Sequence, residues 1–268
     1  MPELDVSLNR LRFGETKRRD AWWLAPLGVL VVLSTFMVYA TWAALQNAHF
    51  SYGPYLSPFY SPLLFSLDKS SWFGAPPSWM PHWLSPAMLI LGVPAGFRLT
   101  CYYYRGAYYK AFWADPPSCA VGEPRSTYLG ESSFPLILQN VHRYFLLLAL
   151  IFIVILSYDV YEALWWPGSD GKSHFGVGFG TVVMAANVGL IGSYTLGCHS
   201  LRHLVGGFAD QFSRQFSRSP TRYTAYECIS CLNRRHMLFA WCSLFSVMLT
   251  DLYVRLCSMG VLHDWRIV

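Results

Sequence analysis

The feature that most constrains this chain is a run from Trp22 to Leu45 without one charged side chain. An apolar layer of about 30 Å is crossed by roughly 20 helical residues, so this run is long enough to span a bilayer. Further apolar stretches cover residues 83–113, 136–164, 175–205 and 237–259. The pattern predicts an all-α fold, a polytopic transmembrane helical bundle of about five helices. Composition agrees: 54% of residues are hydrophobic and 13% charged, about half the charged share of a soluble domain. Tryptophans sit where the apolar runs end, at Trp22, Trp23, Trp79, Trp83, Trp113, Trp165 and Trp166, as an interfacial aromatic belt requires.

The loops set the expected orientation. Arg10, Arg12, Lys17, Arg18 and Arg19 precede the first run, Lys110 and Arg125 lie from the end of the second towards the third, and Arg202, Arg214, Arg218, Arg222, Arg234 and Arg235 lie from the end of the fourth to the start of the fifth. The alternate loops carry only Lys69 and Lys172. Basic residues mark the cytoplasmic side, so the amino terminus is expected inside and the carboxyl terminus outside. Residues 1–20 read as a cytoplasmic segment without the apolar core of a secretory signal. Residues 21–268 read as a single membrane domain of the plasma membrane, with residues 46–82, rich in Pro and aromatics, as an ordered outer cap. The net charge of +5 is explained by these loops and does not point to nucleic acid. Seven Cys, an odd number and mostly in apolar stretches, argue for reduced or ligating thiols over a disulfide framework.

Four His gather at the expected cytoplasmic ends of helices. His142 opens the third, His199 and His203 share one face at the end of the fourth, and His236 opens the fifth. Cys198 adjoins His199, Cys119 lies in a loop on the same side, and Cys228 and Cys231 form a CxxC. Three occupants suit such donors: haem b between two axial His, a Rieske-type [2Fe–2S] cluster with two Cys and two His, or zinc. A second CxxC is lacking, which disfavours a zinc ribbon. Each His alone is also explained as a helix-end residue bonded to a carbonyl or headgroup.

Intramembrane charge marks a second set. Arg98 lies within the second apolar run. Tyr158 in the third helix, with Asp251, Tyr253 and Arg255 in the fifth, offers hydrogen bonds and protons to a quinone; an Asp–Arg structural pair explains part of the same set. Tyr104 and Arg105 belong to a second, inward candidate pocket within a Tyr-rich stretch. Glycines at 176, 178, 180, 189, 192 and 197 read as helix-packing positions.

Several strings then carry a resemblance. Residues 108–113 (YYKAFW), 115–125 (DPPSCAVGEPR), 139–145 (QNVHRYF), 197–203 (GCHSLRH), 233–238 (NRRHML) and 251–256 (DLYVRL) resemble the membrane anchor of an actinobacterial succinate dehydrogenase, respiratory complex II. The resemblance implies an anchor with no succinate-oxidising site of its own. It implies flavoprotein and iron–sulfur subunits on the cytoplasmic face, with electrons leaving to menaquinone, and it leaves a higher oligomer open. Anchors of this kind often hold two b haems, each between two His. Here the outer side offers only His49, His82, His174 and His263, mostly in loops. A Rieske-type [2Fe–2S] cluster is therefore preferred to haem b. Cys119 and Cys198 rank above Cys228 and Cys231 as its thiolates, and His142, His199, His203 and His236 share the imidazole roles. A non-redox structural anchor and a membrane transporter are the readings that compete.

Overall fold

A computed structural model describes residues 11–67, 71–81, 83–125, 132–134, 136–168, 171–207 and 220–268. Its helices are α1 (Leu24–Gln46), α2 (Pro86–Leu99), α3 (Tyr102–Tyr108), α4 (His142–Glu162), α5 (Phe179–Leu196), α6 (His199–Gly206), α7 (Pro220–Asn233) and α8 (His236–Ser258). A π-helical turn, Tyr109–Trp113, continues α3, and a 3₁₀ turn, Leu136–Val141, leads into α4. Two small antiparallel hairpins complete the set, β1 (Ser51–Tyr52) with β2 (Tyr55–Leu56), and β3 (Trp165–Pro167) with β4 (Ser173–Phe175). Among the described residues four helices are long and apolar enough to cross a membrane: α1, the 3₁₀ turn with α4, α5 and α8. The shorter α2 is the fifth apolar helix.

Two of the expected helices are broken. The second stops at Leu99, because Cys101 is extended (φ −64, ψ 130), and α3 starts afresh. The fourth stops at Leu196, where Cys198 is extended (φ −65, ψ 138) before α6. Hydropathy does not register such breaks, because a single residue's ψ changes the direction of the chain without changing its composition. Helix α7 lies where a basic loop was expected. The start of α2 follows local chemistry: Ser85 Oγ accepts the Ala87 N–H at 3.2 Å, and Pro86 needs no amide partner at the first helical position.

The chain divides into two compact units. The first takes Met1–Met37 with Leu99–Asn140. Within it, the segment before α1 is bonded to residues 118–122. Gly14 N–H donates to Gly122 O, Gly122 N–H donates to Glu15 O (each 2.9 Å), and Thr16 Oγ1 donates to Ala120 O at 2.7 Å. A side chain at Gly122 would lie 1.9 Å from Arg12 O, so only glycine fits there. Arg18 Nη1 donates to Ser118 Oγ (2.8 Å) and to Cys119 O (3.0 Å), and the guanidinium holds the Asp20 carboxyl below its ordinary pKa.

The second unit takes Val38–Arg98 with Val141–Val268. Here α5 packs on α8 and α4, and α6 packs on α7 and α4. One core cluster joins Tyr55 of the cap to Ala163, Met184 and Val254. Gly180 permits this, since a Cβ there would stand 2.4 Å from the Tyr55 ring. Gly96 likewise admits the Phe145 ring, 2.3 Å from where its Cβ would be. Gly189 and Gly192, read from sequence as packing positions, face open space.

Candidate functional site

The second unit gathers chemistry at both ends of its helices. At the end where α4 and α8 begin, His142 is buried and its Nε2 lies 3.1 Å from Sγ of Cys198, itself 1% exposed. The extended break after α5 is what puts Cys198 there. Rings connect this pair to the next imidazole. His142 stacks on Phe97 (4.6 Å), Phe97 meets Tyr194 edge-on (5.5 Å), and Tyr194 stacks on His236 (4.9 Å). Arg98 lies 4.8 Å over the Tyr194 ring and donates to Ser243 Oγ (3.0 Å) and Ala240 O (3.3 Å). The intramembrane cation thus sits beside the aromatic and imidazole file.

His199 and His203 form a separate, exposed pair, Nε2 to Nε2 at 3.0 Å. Burial, then the neighbouring His203 and Arg202 charges, lower the His199 pKa. Such a bond requires one ring nitrogen to donate and the other to accept. Cys228 and Cys231 are exposed on α7. Cys119 is exposed in the first unit; of the inward quinone candidates in the same unit, Tyr104 is buried, while Arg105 donates to Gln139 Oε1 (3.1 Å) and lies 4.4 Å over Tyr102.

Whether these donors suit a metal group can be tested on the packing. Two ligands on one metal, with bonds of roughly 2.1 and 2.3 Å, stand about 3.6 Å apart. At 3.1 Å the His142–Cys198 contact is shorter than that, and a Rieske centre carries its His and its Cys on different irons, so the contact marks where donors gather and not a ligand pair on one iron. A thiolate and imidazoles in a buried aromatic setting fit, in chemical kind, a mixed His/Cys iron–sulfur centre. Phe97 and Tyr194 are buried and lie face to face with the two imidazoles. Among the described residues no three His, Cys, Asp or Glu converge on one point. The donors come in neighbouring pairs.

The opposite end is a clamp. Asp251 and Arg255, one turn apart on α8, are 0% and 3% exposed and pair at 2.7 Å. Asp251 also accepts from Tyr39 Oη (2.6 Å) and from Ser57 Oγ of the cap. Arg255 donates onward to Ala43 O (2.7 Å) and Ala48 O (2.8 Å) and lies 5.4 Å from the Trp42 ring. Ser61 of the cap binds Asp159 of α4. Tyr60 donates to Ala43 O and Ala44 O, each at 3.0 Å, and accepts from Asn47 N–H. Asp264 accepts from Tyr55 (2.7 Å), Tyr253 (2.5 Å) and Gly180 N–H (2.9 Å), the last at the start of α5. Burial pushes the Tyr55 phenol above its ordinary pKa, which keeps it a donor. The quinone candidates Asp251 and Arg255 therefore have their hydrogen bonds taken up by the chain itself. Tyr253 lines an open apolar groove of about 420 Å³ between α5 and α8, and Tyr158 is exposed on α4.

Sequence reading missed Phe97, Tyr194, Tyr39 and the two cap serines. Nothing local distinguishes these from ordinary membrane aromatics and loop hydroxyls; their partners are far away in the chain.

Known proteins place the chain in a family. A comparison with curated protein sequences finds no match. The solved structure of the Mycobacterium smegmatis Sdh1 complex in the apo form contains a chain 42% identical, with 98% of each chain covered and a TM-score of 0.85. A family model for the actinobacterial succinate dehydrogenase subunit SdhC matches residues 24–260. Four long apolar helices with few charges, and the match across nearly the whole length, lead to one conclusion: the chain belongs to the actinobacterial SdhC family, and is a multi-pass membrane-anchor subunit of succinate dehydrogenase in the plasma membrane.

Proposed function

We propose that this subunit conducts electrons to menaquinone from flavoprotein and iron–sulfur partners docked on the cytoplasmic face, where the basic loops and the histidine end lie. The observation that carries the reading is the buried His142–Cys198 contact with its file of rings, Phe97, Tyr194 and His236. Cys198, with imidazoles drawn from His142, His199, His203 and His236, would ligate a mixed His/Cys iron–sulfur centre in preference to haem b. Bound there, such a centre would supply a one-electron relay within the membrane. The chain's own part is to bury the donors, exclude water with Phe97 and Tyr194, and keep Arg98 beside them.

The quinone headgroup is proposed to bind near Arg98. Asp251 lies roughly fifteen residues along α8 from His236, about 22 Å at the helical rise, and its acceptor oxygens are already used. Arg98 is next to the imidazole file and supplies a donor to a quinone carbonyl as it takes up two electrons and two protons. Residues 21–268 are proposed to form a single membrane domain.

The test uses the purified complex. Reduced wild-type protein is expected to give a low-average-g iron–sulfur EPR signal and no haem α band. Cys198→Ser and His142→Ala should each abolish that signal in complexes that assemble. Arg98→Gln should cut quinone reduction about tenfold or more, with succinate oxidation by a dye unchanged. Wild-type complex lacking both spectral signatures would leave the subunit as a non-redox anchor.

A further inference from the structure

Helices α6 and α7 enclose a cationic cleft that the electron-transfer reading does not use. Two adjoining cavities, about 370 and about 340 Å³, share Arg202 and Tyr226 as a common wall. Among the described residues the first is lined by His199, Arg202, His203, Gly206, Gly207 and Tyr226, none of them a carboxylate. The second adds Glu227, Ser230, Asn233 and Arg234, so among the described residues its lining holds one acid and two guanidinium groups.

Arg202 is held in place by neutral groups. Its Nε donates to Ser230 Oγ at 3.1 Å and its Nη2 to Tyr226 Oη at 2.8 Å, with the guanidinium 5.2 Å from the Tyr226 ring. Among the described residues it makes no ion pair. A fork oriented in this way keeps its full charge for an oxyanion, and a phosphate matches it geometrically. Gly206 makes the close approach of the two helices possible, since a Cβ there would stand 2.8 Å from the Tyr226 ring.

The position of the cleft narrows the ligand. Helix α6 follows directly on the end of the spanning α5, and α7 ends just before the spanning α8. Asn233 Nδ2 donates to Gly197 O at 2.8 Å and fixes α7 at that level. The cleft therefore lies at the boundary where lipid headgroups are found. The first cavity's walls are largely carbon, and Leu204 of α6 is 60% exposed beside it. Cationic and apolar surface side by side suits an amphiphile with a charged phosphate.

We propose that the α6–α7 cleft binds the phosphodiester headgroup of an anionic phospholipid, with Arg202 as the principal contact and Arg234 on its flank. The contacts it names, Arg202 and Arg234, are neither candidate metal ligands nor the proposed quinone contact.

The experiment uses the whole complex, stripped of lipid in detergent. Native mass spectrometry and thermal unfolding are then followed with added phosphatidylglycerol, phosphatidylcholine or inorganic phosphate. Phosphatidylglycerol should be retained and should raise the melting temperature, and phosphatidylcholine should do neither. Arg202→Gln should lower phosphatidylglycerol retention about fivefold, the factor that corresponds to roughly 1 kcal/mol per surface cation, and Arg202→Lys should recover part of it. Tyr226→Phe keeps every charge but frees the fork, and should also weaken retention. Equal retention of both lipids, or unchanged retention in Arg202→Gln, overturns the proposal. Stabilisation by inorganic phosphate equal to that by the lipid would make the ligand a soluble anion and overturn it also. So would phosphatidylglycerol binding that appears only after the soluble subunits are removed, because an acidic partner side chain would then be the occupant. If neither variant assembles, the contrast between the two lipids on wild-type complex decides.

Discussion

Replacing Asp251 by Ala should be among the most destabilising single changes in this chain. Its carboxylate is 0% exposed and holds three groups from different parts of the second unit: Tyr39 of α1, Ser57 of the cap and Arg255 of its own helix. Removing one partner of a buried ion pair costs about 3–5 kcal/mol, chiefly because the remaining charge stays buried and unmatched. The remaining Arg255 keeps its bonds to Ala43 O and Ala48 O, which places the expected loss near 3 kcal/mol rather than 5. Tyr39→Phe removes one hydrogen bond to a charged acceptor, about 1.5 kcal/mol. Ordinary hydrogen bonds between membrane helices are worth only about 0.6 kcal/mol, so the charge on Asp251 is what lifts these values. The assay is reversible unfolding of the purified subunit in mixed micelles by titration with a denaturing detergent, together with proteolysis of the 46–67 cap. Because Tyr39 acts through Asp251, the double variant should be no worse than Asp251→Ala alone, a coupling of about 1.5 kcal/mol. Asp251→Leu combined with Arg255→Met should recover much of the loss. A loss under 1 kcal/mol for Asp251→Ala, or full additivity with Tyr39→Phe, would refute the clamp. Where Asp251→Asn complexes assemble, quinone reduction should be intact, contrary to a headgroup contact at this residue.

Other changes test the packing more locally. Gly96→Ala should cost about 1–3 kcal/mol by overpacking against the Phe145 ring, whereas Gly189→Ala, facing open space, should be neutral in the same unfolding assay. Tyr60→Phe should loosen the cap by removing the hydroxyl shared among Ala43 O, Ala44 O and Asn47 N–H, read as faster proteolytic nicking after α1 with the bundle still folded. Gly122→Ala should release the segment before α1 from residues 118–122, read as increased hydrogen exchange at Gly14 and Gly122, because its Cβ would overlap Arg12 O.

How much was legible beforehand differs between fold and site. The four spans and the shorter α2 follow from uncharged length, because hydrocarbon tolerates only helices with few charges. The Asp251–Arg255 pairing is also readable as an i, i+4 relation on one helix, but its role is not. The partners that turn the pair into a clamp, Tyr39 and Ser57, lie about 200 residues away in the chain. Cys198 and His142 were both identifiable as donors, yet their contact depends on the extended residue that ends α5, and no periodicity reports one ψ angle.

Residue composition and order were enough to place this chain in a membrane, to locate its apolar runs and, through strings such as 139–145 and 197–203, to indicate its family. Those properties are additive along the chain, so summing residues recovers them. Which groups surround each charged residue was settled only by the fold. Asp251 and Arg255 are consumed by the cap, while Arg98 is set against the imidazole file and Arg202 opens on a cleft. A side chain's chemistry depends on which atoms surround it, and for these residues the neighbours come from distant segments that only folding brings together.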